Sequence, residues 1–254
     1  MNTPNHPEAA RPIKGIDVSH YQGVIDWKKV KESGFEFAFL KATEGGDWVD
    51  DTFASNRKAA RAAGVAVGYY HFFRPQTSVD LQVANFVRTV GQLESDSLRP
   101  VLDIEDPRIW KKYSVKQRVA MVLDWCQKVK RALGVNPMLY GSPSFFTEIL
   151  ENAPELAAYD LWIANYNVTE PIVPKPWSKW IFWQYSEKGS VPGINGDVDL
   201  NWFSGNDLAQ PRNSDDKDIP NTPVAQLAFK VIATVAALLY LAGLVAVLVE
   251  HFYK

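Results

Sequence analysis

The chain has 254 residues, long enough for one large domain with an appendage or for two small domains. A net charge of −2 provides no basic field and argues against a nucleic-acid partner. A single cysteine, Cys126, excludes an intramolecular disulfide. Nine Trp and ten Tyr suit a cleft that stacks on flat ligand faces, although most such residues in any protein are core.

In chain order, residues 1–12 are polar and Pro-containing and read as a disordered lead without the apolar core of a signal peptide. Residues 13–208 alternate strand-like and helix-like segments. The predicted strands are IKGIDVS, FEFAFLKAT, VAVGYYHFF, RPVLDIE, PMLYGS, LWIANY, KWIFWQYS and DVDLNWF. Among them, DWKKVKESG opens on a capping Asp26 and closes at Gly34. Residues 51–64, 78–91 and 114–134 carry apolar positions at helical spacing, and each stretch ends in glycine. Cys126 falls on the apolar side of the last of these helices, as a buried inert thiol would. The later strands leave little room for helices.

Strands alternating with helices predict an α/β fold with a parallel sheet. Eight of them suit a modified (β/α) TIM-like barrel that degenerates toward its end. A doubly wound open sheet is the weaker alternative, because no glycine-rich phosphate loop follows the first strand.

After the barrel, residues 209–223 are polar, acidic and Pro-containing and read as a linker. Residues 224–252 form an apolar tail. Within it, residues 231–249 carry no charge and would make a helix of about 28 Å, close to the thickness of a bilayer's hydrocarbon core. The expectation is a C-terminal transmembrane helix. Arg212, Lys217 and Lys230 precede the span and only Lys254 follows it, which favours a cytoplasmic barrel domain.

A barrel places its chemistry at the C-terminal ends of its strands. Asp17, Glu44, Asp103, Glu105 and Asp199 fall at or near such ends. Asp103 and Glu105 are the sharpest pair. Residues i and i+2 of a strand share a face, about 7 Å apart at the backbone. Two carboxyls this close in an apolar run raise each other's pKa, so one stays protonated near neutrality. A neutral acid beside a carboxylate is the requirement of glycoside hydrolysis. A structural ion pair, or a capping Asp before Pro107, is the competing reading. Clustered acids with His20 or His71 could instead hold a hard cation, but no HExxH or comparable spacing supports a metal, and no cofactor is expected.

The segments GIDVSHYQGVIDW, FLKATEG, GYYHFFRP, PVLDIED, LYGS, LWIANY, WQYS and DVDLNWF occur in this order. Together they resemble the family 25 glycoside hydrolases, the Chalaropsis-type lysozymes of bacteria and phages, over residues 13–205. The resemblance implies a barrel with fewer helices than strands. It also implies cleavage of the β-1,4 bond between N-acetylmuramic acid and N-acetylglucosamine in peptidoglycan. Within the family's D-x-E motif the proton donor falls on Glu105. Asp103 then orients the 2-acetamido group or stabilises an oxazolinium-like intermediate. Asp17 and Asp199 would line the site and tune the central catalytic pair, and Tyr70, Tyr140, Trp162 and Gln184 would line the sugar cleft. Glu44, from its place after the FLKAT strand, is also expected to bind substrate. The implied partners are peptidoglycan glycan strands, the membrane through the C-terminal helix, and a holin-like protein if the chain is a phage lysin held at the inner membrane. A translocated, periplasmic anchored domain is the other topology. A non-catalytic, membrane-tethered glycan-binding protein and a metal-dependent hydrolase are the alternative functions.

Overall fold

The structure is a computed structural model that describes residues 13–205 and residue 208. All eight predicted strands form. They are β1 (Ile13–Val18), β2 (Phe35–Glu44), β4 (Ala66–Phe72), β5 (Val101–Asp103), β6 (Met138–Gly141), β7 (Asp160–Ala164), β8 (Phe182–Gly189) and β9 (Val198–Phe203), with a two-residue strand β3 (Trp48–Val49) folded back on β2. The order β1-β9-β8-β7-β6-β5-β4-β2 closes on itself through the β1–β2 pairing, giving an eight-stranded barrel.

Pairing is parallel from β1 through β2 and β4 to β8. The alternation of elements predicts a parallel sheet throughout, and β9 departs from it. This strand runs antiparallel to both β8 and β1. Only residues 190–197 join β8 to β9, and a parallel crossover needs a dozen or more residues. The last strand therefore enters the barrel as a hairpin.

The helices follow the predicted signals. Helix α1 (Trp27–Glu32) starts where the Asp26 carboxylate accepts the Lys29 N–H. Next come α2 (Phe53–Ala62) and α3 (Val79–Val90), which closes at Gly91. A four-residue turn, α4 (Pro107–Trp110), precedes α5 (Val115–Leu133). Ser114 and Gln117 form a reciprocal capping box on α5, and Gly134 ends it at φ 76°, a left-handed conformation that glycine adopts without a Cβ clash. After β6 the chain makes only single π and 3-10 turns, Phe145–Ile149 and Pro154–Ala158. Among the described residues the α-helices thus sit on the first half of the barrel. None of them is long and apolar enough to cross a membrane. The predicted N-terminal lead, linker and transmembrane tail lie outside the described residues.

Strand periodicity divides the core in two. Outward residues such as Ile16, Leu40, Val67, Leu102, Leu139 and Ile163 pack against the helices together with Val122, Trp125 and Cys126 of α5. Inward residues Phe37, Phe39, Val101, Met138, Phe182 and Phe203 fill the barrel. Glycines make room for the rings: a Cβ at Gly15 would collide with Phe37, and one at Gly68 with Phe39. This apolar plug seals the lower barrel, so the polar inward residues collect above it, at the C-terminal mouth.

Gly15→Ala forces the Phe37 ring off its seat and should lower stability by about 1–3 kcal/mol, the usual cost of overpacking. A shifted urea midpoint with an unchanged slope would show it.

Candidate active site

All eight barrel strands deliver side chains to one cleft at the mouth. The residues lining it include Asp17 from β1, Lys41 from β2, Tyr70 and Phe72 from β4, and Asp103 and Glu105 at the end of β5. Tyr140 from β6, Trp162 from β7, Gln184 from β8 and Asp199 from β9 complete the circle, around a volume of about 180 Å³. Of the predicted site residues, only Glu44 is missing from this circle.

Asp103 and Glu105 share a side of their strand, as the i, i+2 spacing predicts. The β5 ladder ends at Asp103, but the Ile104 N–H still donates to the Tyr140 carbonyl (3.1 Å). Glu105 thus keeps the extended register. Asp106 then turns the chain away in a left-handed conformation (φ 53°), which Asp tolerates better than most residues, and Pro107 starts the next helix.

The two carboxyls differ in depth. Asp103 is only 4 % exposed. Its Oδ1 is buried and has no hydrogen-bond partner among the described residues. Burial, then the neighbouring Glu105, pushes the Asp103 pKa well above the ordinary carboxylate range. Glu105 lies at the exposed mouth. Loss of solvent around its carboxyl raises its pKa as well and the charge of Asp17 adds to this, while Asp103, Lys41 and Tyr140 favour its ionised form. The pair therefore holds one proton readily, and the deeper group retains it in the free protein.

Opposite them, Asp17 and Asp199 are cross-strand partners on β1 and β9. Asp17 Oδ2 accepts from Gln184 Nε2 (2.8 Å) and Asn201 Nδ2 (2.7 Å). Tyr140 donates its hydroxyl to Gln184 Oε1 (2.8 Å), and Trp162 Nε1 donates to Asn201 Oδ1 (2.8 Å). Burial raises the Asp17 pKa, and these donors oppose the rise. For Asp199, burial and then the charge of Asp17 push the pKa up to about 9. Asp199 is thus the member of this second pair that holds a proton more readily.

Glu44, predicted to bind sugar, is placed differently. It is not among the cleft-lining side chains. Its carboxylate pairs with Lys41 Nζ (2.7 Å) and Arg74 Nε (2.8 Å). Burial raises its pKa, but Lys41 and Arg74 outweigh this and hold it below the usual range. Glu44 fixes Lys41, which is the residue that enters the cleft.

Lys41, Asn201, Tyr21 and Tyr166 were not predicted. Lys41 has the same strand parity as Phe37 and Phe39, and Asn201 stands two residues from Asp199, so alternation within each strand carried the signal for both. Tyr166, beyond β7, donates to Gln184 Oε1; no local pattern marks it.

Neither histidine considered as a metal ligand joins the cleft acids. His71 faces outward under α5, stacked on Trp125 and bonded to Thr43 Oγ1 (2.7 Å) and Gln82 Oε1 (3.1 Å). Burial drops its pKa to about 4, so it is neutral at physiological pH. His20 pairs with Asp50 (3.0 Å). Among the described residues, no group of three or more His, Cys, Asp or Glu side chains is arranged to hold a metal ion.

A closed barrel of eight strands with few helices, carrying two pairs of acids at one mouth, matches the glycoside hydrolases of the modified (β/α)-barrel class. Asp17, Asp103 and Glu105 stand at C-terminal strand ends. Asp199, expected at such an end, stands at the start of β9 and reaches the same mouth because β9 is antiparallel. Comparison with known proteins makes the assignment specific. The chain belongs to the glycosyl hydrolases family 25, whose family model matches residues 16–194. It is 36 % identical over 206 residues to lysozyme M1 of Streptomyces globisporus, covering 78 % of this chain and 70 % of that protein. It is 29 % identical over 203 residues to the N,O-diacetylmuramidase of Chalaropsis sp, covering 74 % of this chain and 96 % of the relative. The crystal structure of a bacterial lysozyme from Streptomyces coelicolor superposes with a TM-score of 0.76 at 36 % identity, over 80 % of this chain and 99 % of the other.

The Asp199 shift carries a sign. A carboxyl whose pKa is raised on folding contributes stability that is complete below its unfolded value, near 3.9, and is lost as pH rises to about 9. Asp199→Asn removes that loss. Its stability relative to the parent should climb between pH 4 and pH 9, and denaturant midpoints across that range would read the slope.

Proposed function

We propose that this chain is a lysozyme, an N-acetylmuramidase that hydrolyses the β-1,4 bond between N-acetylmuramic acid and N-acetylglucosamine in bacterial peptidoglycan, with Glu105 as the proton donor. The observation that carries the site assignment is the difference in depth between two coupled carboxyls. Glu105 stands where a glycosidic oxygen can reach it. Asp103 lies below, with a buried oxygen that lacks a donor among the described residues. Family membership and the lysozymes among the relatives support the substrate.

In this reading, sugar binding moves the shared proton outward. The 2-acetamido N–H turns toward the Asp103 carboxyl and favours the ionised form of that group. The substrate also excludes water from Glu105, which favours its neutral form. Glu105 then protonates the glycosidic oxygen as the bond to the muramic acid C1 breaks. The acetamido oxygen closes on C1, and the resulting positive ring sits against the Asp103 carboxylate. Water opens the ring and gives its proton to Glu105, restoring the acid. Asp17, bonded to Gln184 and Asn201, holds the opposite wall in place, with Asp199 beside it.

Glu105→Gln should lower kcat by about 10²–10⁴-fold with the fold intact. Mass spectrometry of products from purified peptidoglycan, parent beside variant, checks it through the appearance of reducing ends at muramic acid. Full activity in the variant would remove Glu105 from the role.

We further propose that residues 209–223 link the barrel to a membrane span at residues 231–249, so that the hydrolase is membrane-tethered. The uncharged 19-residue run is the support. Carbonate-washed membranes should retain the full chain and release a chain ending at residue 220. Protease treatment of intact spheroplasts then reports the side: protection favours the phage-lysin topology with a holin-like partner, and digestion the periplasmic one.

A further inference from the structure

Tyr21 is 81 % exposed, yet it lines the same cleft as the carboxyls. Single exposed aromatics are ordinary on protein surfaces. This one differs in how firmly it is held. The His20 ring lies against it, with centroids 4.2 Å apart and planes tilted by 34°. Trp48 meets the same His20 ring edge-on at 5.2 Å. The Trp48 ring also carries Lys41 Nζ 4.9 Å from its centroid, and Lys41 is the cation of the cleft.

The backbone under this stack is equally constrained. Asp50 Oδ2 accepts the His20 backbone N–H (2.9 Å) and lies 3.0 Å from His20 Nδ1. The other oxygen, Oδ1, accepts from Thr52 N (2.9 Å) and Thr52 Oγ1 (2.7 Å), and the carboxylate is fully buried. A capping box between Ser19 and Gln22 closes the turn that bears Tyr21. Gln22 Nε2 donates to the Asp197 carbonyl (3.2 Å), which ties the turn to the start of β9. Gly23 ends the turn at φ 60°.

An aromatic ring held in place before a ligand arrives loses little conformational freedom on binding, which is the condition under which stacking contributes to affinity. A pyranose presents a face of C–H bonds that matches such a ring, and its hydroxyls stay in water. From this we infer that His20, Tyr21 and Trp48 form a sugar-stacking shelf on the rim of the cleft, with Asp50 as its positioning residue. The shelf takes a pyranose of the glycan strand beside the one whose bond is cut, because the acid-lined floor lies inside it. This inference rests on the proposed muramidase function.

The test uses the full chain and peptide-free glycan strands of alternating N-acetylglucosamine and N-acetylmuramic acid as the probe. Binding is measured calorimetrically in a Glu105→Gln background, which prevents turnover. Adding Tyr21→Ala should weaken binding about five- to tenfold. Tyr21→Phe, which keeps the ring, should bind within about twofold of the parent. In the active chain Tyr21→Ala should raise KM by a similar factor and leave kcat within about twofold. Asp50→Ala should weaken binding in the same way, and Asp50→Asn should recover only part of the loss, because its single amide oxygen can accept either the His20 N–H or the Thr52 N–H, whereas the carboxylate accepts both. An unchanged dissociation constant in Tyr21→Ala overturns the shelf, as does a Tyr21→Phe variant that loses as much as Tyr21→Ala. If the Glu105→Gln parent itself fails to bind the strands, the muramidase reading falls and the shelf with it.

Discussion

Four carboxyl groups at one end of a barrel cannot all be charged, and the rest of the site answers that constraint. Asp17 and Asp199 face each other across the β1–β9 ladder, and Asp103 and Glu105 share one side of β5. Coulomb repulsion in a desolvated cleft is much stronger than in water. In each pair the pKa values are raised, so a proton is held more readily than by a free carboxyl. What decides which member holds it more readily is the local supply of donors. Asp17 receives two amide N–H bonds that oppose the rise imposed by burial, whereas Asp199 is pushed up to about 9. Asp103 has an oxygen with no donor at all among the described residues and keeps its proton. Lys41 supplies the counter-charge, favouring the ionised forms of both Asp103 and Glu105.

Barrel closure makes these pairings possible. The antiparallel β9 hydrogen-bonds to β8 on one side and to β1 on the other. This brings Asp199 and Asn201 against Asp17, from the far end of the barrel sequence. The same closure joins Trp162, Asn201, Asp17, Gln184 and Tyr140 into one chain of hydrogen bonds across five strands. Buried polar groups arranged in this way are stable only when each finds a partner. Among the described residues, Asp103 Oδ1 is the cleft oxygen without such a partner.

Below the polar layer, aromatic rings fill the barrel so fully that Gly15 and Gly68 must lack a side chain. Above it, the rim is braced from outside the barrel: Arg74 holds Glu44, Glu44 holds Lys41, and Lys41 rests on the Trp48 and Phe72 rings. The Glu44 carboxylate thus acts at one remove. A residue placed at a strand end by its sequence position can serve the site through its neighbour.

Local pattern alone determined much of this protein. Recurring apolar runs marked all eight barrel strands, and the capping residues Asp26 and Ser114 marked two helix starts. The i, i+2 spacing put Asp103 and Glu105 on one side, because side-chain direction in a strand depends only on parity. Parity could also have pointed to Lys41 and Asn201. Tertiary structure alone decided the rest. The direction of β9 follows from a connection too short to cross over, and the removal of Glu44 from the cleft follows from two cations, one on β2 and one in the segment after β4. The unequal protonation of the four acids depends on burial and on donors from β8 and β9. These are long-range contacts between residues far apart in the chain, and no local periodicity encodes them.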